Sequence, residues 1–171
     1  MPPTLPAYAI DIQDETGADA LPLTRLEQAI AEVLAHHHVA AGTGLALVIT
    51  DDAQVQQMNA QYRGVDAATD ILSFPADPLP DEIAAEVEEP PYLGDLIVAY
   101  PYTQRHAAEA GHDLDDELVL LAIHGTLHLL GYDHDNPDNQ QKMWNAQQRA
   151  LDVANVAIDV PLFMFGDESD A

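Results

Sequence analysis

His124-Gly125-Thr126-Leu127-His128-Leu129-Leu130-Gly131-Tyr132-Asp133-His134 is the stretch on which the reading of this chain turns. Its three histidines fall at relative positions 0, 4 and 10, and a glycine falls at position 7. Residues four apart on a helix lie on one face, one turn above the other, so His124 and His128 can aim both imidazoles at one point. Gly131 can end that helix in a left-handed turn, which a residue with a Cβ resists. The chain then reverses, and His134 can return as a third nitrogen ligand. Three nitrogen ligands at about 2.0–2.1 Å suit one Zn²⁺ and leave a fourth position for water or substrate. Other divalent ions, Ni²⁺, Co²⁺ or Cu²⁺, suit three imidazoles as well. The histidine spacing alone is common in helices; the third histidine and the helix-stopping glycine together make a metal site the expected reading.

The spacing equals that of the metzincin proteases, His-Glu-x-x-His-x-x-Gly-x-x-His, except at one position. Where those enzymes carry the glutamate base, this chain has Gly125. The metal cage is present and the proteolytic base is missing.

The chain has 171 residues, consistent with one domain spanning 1–171. No run of about 18 apolar residues marks a membrane span. The first residues have neither the basic nor the apolar region of a signal peptide. No cysteine is present, so there is neither a disulfide framework nor a thiolate metal site. A cytoplasmic protein is expected. Five Lys and Arg stand against 30 Asp and Glu, a formal net charge of −25. Phosphate binding normally rests on Lys and Arg releasing counterions, so the bulk of this surface repels nucleic acid. The five basic residues, Arg25, Arg63, Arg105, Lys142 and Arg149, are correspondingly informative.

The rest of the pattern alternates short apolar strands with helical periodicity. Strands are predicted at Tyr8–Gln13, Leu45–Thr50, Thr69–Pro75 and Leu93–Ala99, with Pro75 marking an edge or a strand end. Helices are predicted from Thr24, by a capping box with Glu27, to about His37; from Ala53 to Tyr62, stopped by Gly64; from Tyr102 to Ala110, stopped by Gly111; from Leu114 to Leu130, apolar nearly all round and therefore central; and from Pro137, capped by Asn136, to Val153. His36-His37-His38 is not a metal tract, because successive helical side chains point in different directions. The Pro-rich acidic stretch at about 77–91 reads as a surface insertion, and about 154–171 as an acidic, frayed tail beyond a core of about 8–153.

Four further stretches stand out: Asn59-x-x-Tyr62-Arg63, Thr69-Asp70-Ile71-Leu72-Ser73-Phe74-Pro75, Gly94-Asp95-Leu96, and the histidine motif with its Gly131-Tyr132-Asp133. Singly, each has a structural explanation: a surface cation, turn residues, a satisfied hydroxyl. In this order and together they resemble the YbeY family of bacterial metal-dependent endoribonucleases, over about residues 8–153. The resemblance implies a single zincin-like α/β (α+β) domain, a small mixed four-stranded sheet packed with about five helices. It implies zinc ligands at His124, His128 and His134 and a functionally important arginine at Arg63. It further implies action on single-stranded RNA, in 16S rRNA 3′-end maturation and ribosome quality control in the cytoplasm. The partners implied are the small ribosomal subunit with its proteins and the Era GTPase. One departure concerns the last helix, which in the family often carries an acidic residue a turn after its methionine; here Met143 is followed by Gln147.

On this reading the metal and Arg63 form the electrostatic core of a phosphodiester site. Water activated by the metal, or the substrate's own 2′-hydroxyl, replaces the missing base. Asp133 and Asp95 are candidates to orient a ligand histidine. Two other classes compete: a protease-like metal hydrolase, opposed by Gly125, and a non-catalytic zinc-containing ribosome assembly factor, opposed by the open three-ligand set. The acidic surface requires that a ribosomal partner deliver the RNA or that salt screen the field, the Debye length falling to about 3 Å at 1 M.

Overall fold

The computed structural model describes residues 6–18, 20–76, 91–158 and 160. Among these, four strands and five helices form an α/β arrangement. In chain order they are β1 (Ala9–Asp14), α1 (Leu23–His36), β2 (Gly44–Thr50), α2 (Asp52–Arg63), β3 (Ile71–Pro75), β4 (Tyr92–Ala99), α3 (Tyr100–Ala110), α4 (Leu114–Leu129) and α5 (Pro137–Val153). The sheet order is β1-β2-β4-β3. β1, β2 and β4 run parallel, and β3 pairs antiparallel to β4 at the edge. Pro75 ends that edge strand, where its missing N–H breaks no inner ladder.

Strand alternation divides the apolar residues between two faces. Leu45, Leu47 and Ile49 of β2 and Leu96 and Val98 of β4 join α1, α4 and α5 in the main core. Ile97 and Ala99 of β4 point the other way, to Leu72 of β3 and Val55 of α2. α4 lies in the main layer with residues buried almost all round, from Leu118 to Leu129, as its composition predicts. Each fully buried leucine contributes about 1.5–3 kcal/mol relative to exposure, so this helix is held firmly by its middle.

The helix ends follow local chemistry. Asp51 caps α2 by accepting Gln54 N–H at 2.8 Å, and Gly64 closes it in the left-handed conformation. Asn136 caps α5 by accepting Asn139 N–H at 2.9 Å, with proline in the first turn. Two starts differ from the sequence reading. α1 hydrogen bonding begins at Pro22 O, which accepts Leu26 N–H at 3.0 Å, so Thr24 lies inside the first turn and caps nothing. α3 begins at Tyr100 because Pro101 fits a first-turn position, where no N–H is required.

The core also runs past 153. Val156, Ile158 and Val160 are buried in it, and Trp144 Nε1 donates to Val160 O at 2.6 Å. These three residues, expected in a frayed tail, are therefore packed against the core. The insertion expected at about 77–91 lies, except for Pro91, outside the described residues, as do 161–171.

Candidate metal centre and cleft

The motif helix α4 stops where the sequence predicts. Tyr132 N–H donates to Leu127 O at 3.1 Å and Gly131 N–H to His128 O at 3.0 Å, the paired bonds of a glycine-terminated helix. Gly131 has φ of 101°, a conformation that costs little without a Cβ. The reversal carries His134 back over the helix end. Its own N–H donates to Asp133 Oδ1 at 2.7 Å, and its carbonyl accepts Gln140 Nε2 of α5 at 3.2 Å. The loop is thus tied to both helices it joins.

The three histidines meet. One nitrogen from each of His124, His128 and His134 lies within 4.8 Å of the others, and among the described residues no other such group of metal-binding side chains occurs. His124 and His134 are buried, and His128 is half-buried. The ring hydrogen bonds fix where two of the protons sit. His124 Nδ1 meets Gln147 Oε1 at 2.8 Å, and His128 Nδ1 meets the Tyr132 carbonyl at 3.1 Å. Both partners are carbonyl oxygens, which only accept, so each Nδ1 carries its ring's proton. The other nitrogen of a neutral imidazole is then a bare lone pair. Those two atoms, His124 Nε2 and His128 Nε2, face each other at 3.2 Å. With both Nε2 atoms unprotonated, one cation can take the two lone pairs at once. Nitrogens bonded at 2.0–2.1 Å to one tetrahedral ion stand about 3.3 Å apart, close to the spacing found. The donor set therefore fits a metal ion.

The histidines open onto a cleft of about 760 Å³, within the usual range for small-ligand sites. Arg63, the last residue of α2, lines it, together with Thr69, Asp70 and Ser73 from the approach to β3 and from β3 itself. Asp133 and Asp135 complete the acidic side. Residues some sixty positions apart in sequence, Arg63 and the histidine motif, thus share one wall-to-wall space. Asp70 Oδ1 accepts the Ile71 N–H at 2.7 Å and so holds the entry to β3.

Gly94 and Asp95 do not line the cleft. Asp95 hydrogen-bonds the Tyr92 hydroxyl on β4. Gly94, at φ 142°, lets β3 approach: a Cβ there would lie 2.3 Å from Phe74 O and 2.9 Å from Pro75 Cα. Its contribution is to set the cleft wall in place. Gly125 has a comparable reason to be small. A Cβ on it would lie 2.8 Å from Leu96 Cδ2 and 2.9 Å from Ile71 Cδ1, so this face of α4 is pressed against the sheet. A side chain there meets the ends of Leu96 and Ile71, which would have to shift to admit it.

Asp133 makes the turn through the His134 N–H, and the carbonyls that hold the His124 and His128 rings come instead from Gln147 and the Tyr132 backbone. Gln147 is the residue whose role the sequence reading missed. It is 1% exposed and sits in the buried stripe Met143, Gln147, Ala150 and Leu151 of α5. An uncharged amide inside an apolar stripe was the available signal; the packing of α5 on α4 supplies its partner.

Comparison with known proteins agrees with this geometry. The family model "Endoribonuclease YbeY" matches residues 10–155. An Endoribonuclease YbeY of Gloeobacter violaceus is 47% identical over 122 residues, 71% of this chain and 62% of that protein. One of Geobacillus thermodenitrificans is 41% identical over 147 residues, covering 83% of this chain and 93% of that protein. The solution structure of TM1509 from Thermotoga maritima superposes with a TM-score of 0.58 at 27% identity, over 85% of this chain and 88% of that one. With the match running from β1 to the end of α5, the chain belongs to the YbeY endoribonuclease family.

Proposed function

We propose that this protein is a single-domain, zinc-dependent endoribonuclease that cuts single-stranded rRNA in 16S 3′-end maturation and ribosome quality control. The observation that carries the reading is the convergence of one nitrogen each from His124, His128 and His134, with His124 Nε2 and His128 Nε2 3.2 Å apart, in the cleft that Arg63 lines. Family membership supports the reaction class, and the relatives named above are endoribonucleases by name. His124, His128 and His134 hold the ion. When bound, it supplies Lewis acidity and an acidified water.

The chain's own groups supply the rest. Arg63 offers a planar, permanently charged fork for the non-bridging oxygens of the scissile phosphate. Gln147 and the Tyr132 carbonyl keep the His124 and His128 protons on Nδ1, leaving Nε2 for the ion. Ser73 and Thr69 bring hydroxyls to the same cleft, suited to phosphate or ribose oxygens. The nucleophile is water or the substrate's 2′-hydroxyl; product ends, open or cyclic phosphate, distinguish them. With a net charge of −25, delivery of RNA falls to a partner, and the small ribosomal subunit with the Era GTPase in the cytoplasm fits that need.

The protease reading is disfavoured by Gly125, whose Cβ direction is filled by Leu96 and Ile71. Arg63 is exposed, so Arg63→Ala leaves the fold intact. It should lower cleavage of a single-stranded rRNA 3′-end oligonucleotide about 100- to 1,000-fold, the cost of removing one preorganised charge partner. Unchanged cleavage by folded Arg63→Ala would remove the arginine from the mechanism.

A further inference from the structure

The charge distribution leaves one basic residue unaccounted for. Arg25 pairs with Asp116 at 2.8 Å, Arg105 with Asp52 at 2.7 Å, and Arg149 with Glu32. Arg63 lines the cleft. Lys142, exposed on α5, makes no ion pair among the described residues. It lines a second cavity of about 400 Å³ together with His37 and Asn139. That cavity shares Gly131, Tyr132 and Asp133 with the catalytic cleft, so the two spaces adjoin at the turn that follows α4. The shared wall is firm. Tyr132 donates its hydroxyl to His37 Nε2 at 2.9 Å, while His37 Nδ1 donates to Val33 O at 2.8 Å.

We propose that this second cavity is a subsite for the RNA strand as it leaves the cleft, with Lys142 engaging the phosphate that flanks the scissile one. The proposal rests on the ribonuclease reading and adds where the strand runs. In a chain this acidic, a lysine with no carboxylate partner among the described residues, beside the active cleft, is the cation a second phosphate can reach. Asp133 stands on the shared wall, one oxygen taken by the His134 N–H, so Lys142 and Asp133 together carry no net charge. A small free anion gains little there. A strand already anchored in the cleft meets Lys142 at high effective concentration, without a second cost of association.

The test is steady-state cleavage by metal-loaded enzyme of two substrates, a dinucleotide confined to the cleft and a longer single strand that spans both cavities. Lys142→Ala should raise KM for the longer strand about threefold to tenfold, with kcat unchanged, and leave the dinucleotide unaffected. Its log–log dependence of kcat/KM on salt should become shallower by about 0.7, the share of one phosphate contact on a single strand. Lys142→Glu should exceed both effects, and Lys142→Arg should restore wild-type values. Equal KM changes on both substrates, or an unaltered salt slope in both Lys142→Ala and Lys142→Glu, would overturn the subsite. Failure of the wild type to cut either substrate, both alone and with small ribosomal subunits added, would instead overturn the ribonuclease reading, and the subsite with it.

Discussion

Replacing Gln147 with leucine tests how the histidine site is held. The two side chains are similar in size, and Gln147 is 1% exposed, so the change removes an acceptor without opening a cavity. His124 Nδ1, now 2.8 Å from Gln147 Oε1, loses the acceptor for its proton. A buried donor left unsatisfied costs about 1–3 kcal/mol. The metal-free protein has an escape: the proton moves to Nε2, where His128 Nε2 at 3.2 Å can accept it. Stability without metal should therefore fall by less than about 1 kcal/mol, a net neutral hydrogen bond. Metal binding closes that escape, because Nε2 must be bare. The proton returns to an Nδ1 with no acceptor, and affinity should drop about 10- to 100-fold, the usual effect of losing a residue that orients a ligand histidine. That range equals about 1.4–2.7 kcal/mol. Competition against a chelator of known affinity measures it, and thermal melting of the metal-free protein gives the companion value. Gln147→Glu, which supplies a charged acceptor, should bind metal at least as tightly as wild type. Metal affinity of folded Gln147→Leu within about twofold of wild type would refute the role given to the Gln147 carbonyl.

Two other predictions concern the frame of the site. Gly94→Ala places a Cβ 2.3 Å from Phe74 O at φ 142°, so it should destabilise the fold by about 3 kcal/mol or more; a chemical denaturation midpoint equal to wild type would contradict the close approach of β3 and β4. Tyr92 is pushed up to about 12, first by partial burial and then by its hydrogen bond to Asp95. Its folded value lies above the unfolded 10.0, so its contribution to stability is constant below pH 10.0 and is lost as pH rises towards about 12. Ultraviolet phenolate titration should show a late ionisation near pH 12 that Tyr92→Phe removes.

The sequence announced the site most clearly where the signal was local. Gly131 after a two-histidine helix, Gly64 and Gly111 after α2 and α3, and Asn136-Pro137 before α5 each depend on backbone geometry within one turn, and each stands where its chemistry requires. Arg63, Asp70 and Ser73 were legible as unusual residues, yet their meeting with the histidines depends on β3 joining the sheet edge against α4, which no local pattern encodes. Gln147 and Lys142 depend on the rotation of α5 about its axis: one turns inward to His124 and the other outward to the second cavity. Thr24 shows the converse failure. Its capping pattern is sound in isolation, but the helix takes its first carbonyl from Pro22. Val156, Ile158 and Val160 were obscured by the acidic residues that follow them, although their alternation is that of a segment with one buried side.

The most direct measurement is RNA cleavage as a function of metal occupancy. Protein stripped of metal and then titrated with Zn²⁺ should gain activity on a single-stranded rRNA 3′-end oligonucleotide in proportion to the ion bound. The gain should stop at one ion per chain, and His128→Ala should neither retain the ion nor cut. Full cleavage by stripped protein, or by folded His128→Ala, would contradict the claim that His124, His128 and His134 hold the ion that makes this cleft a ribonuclease.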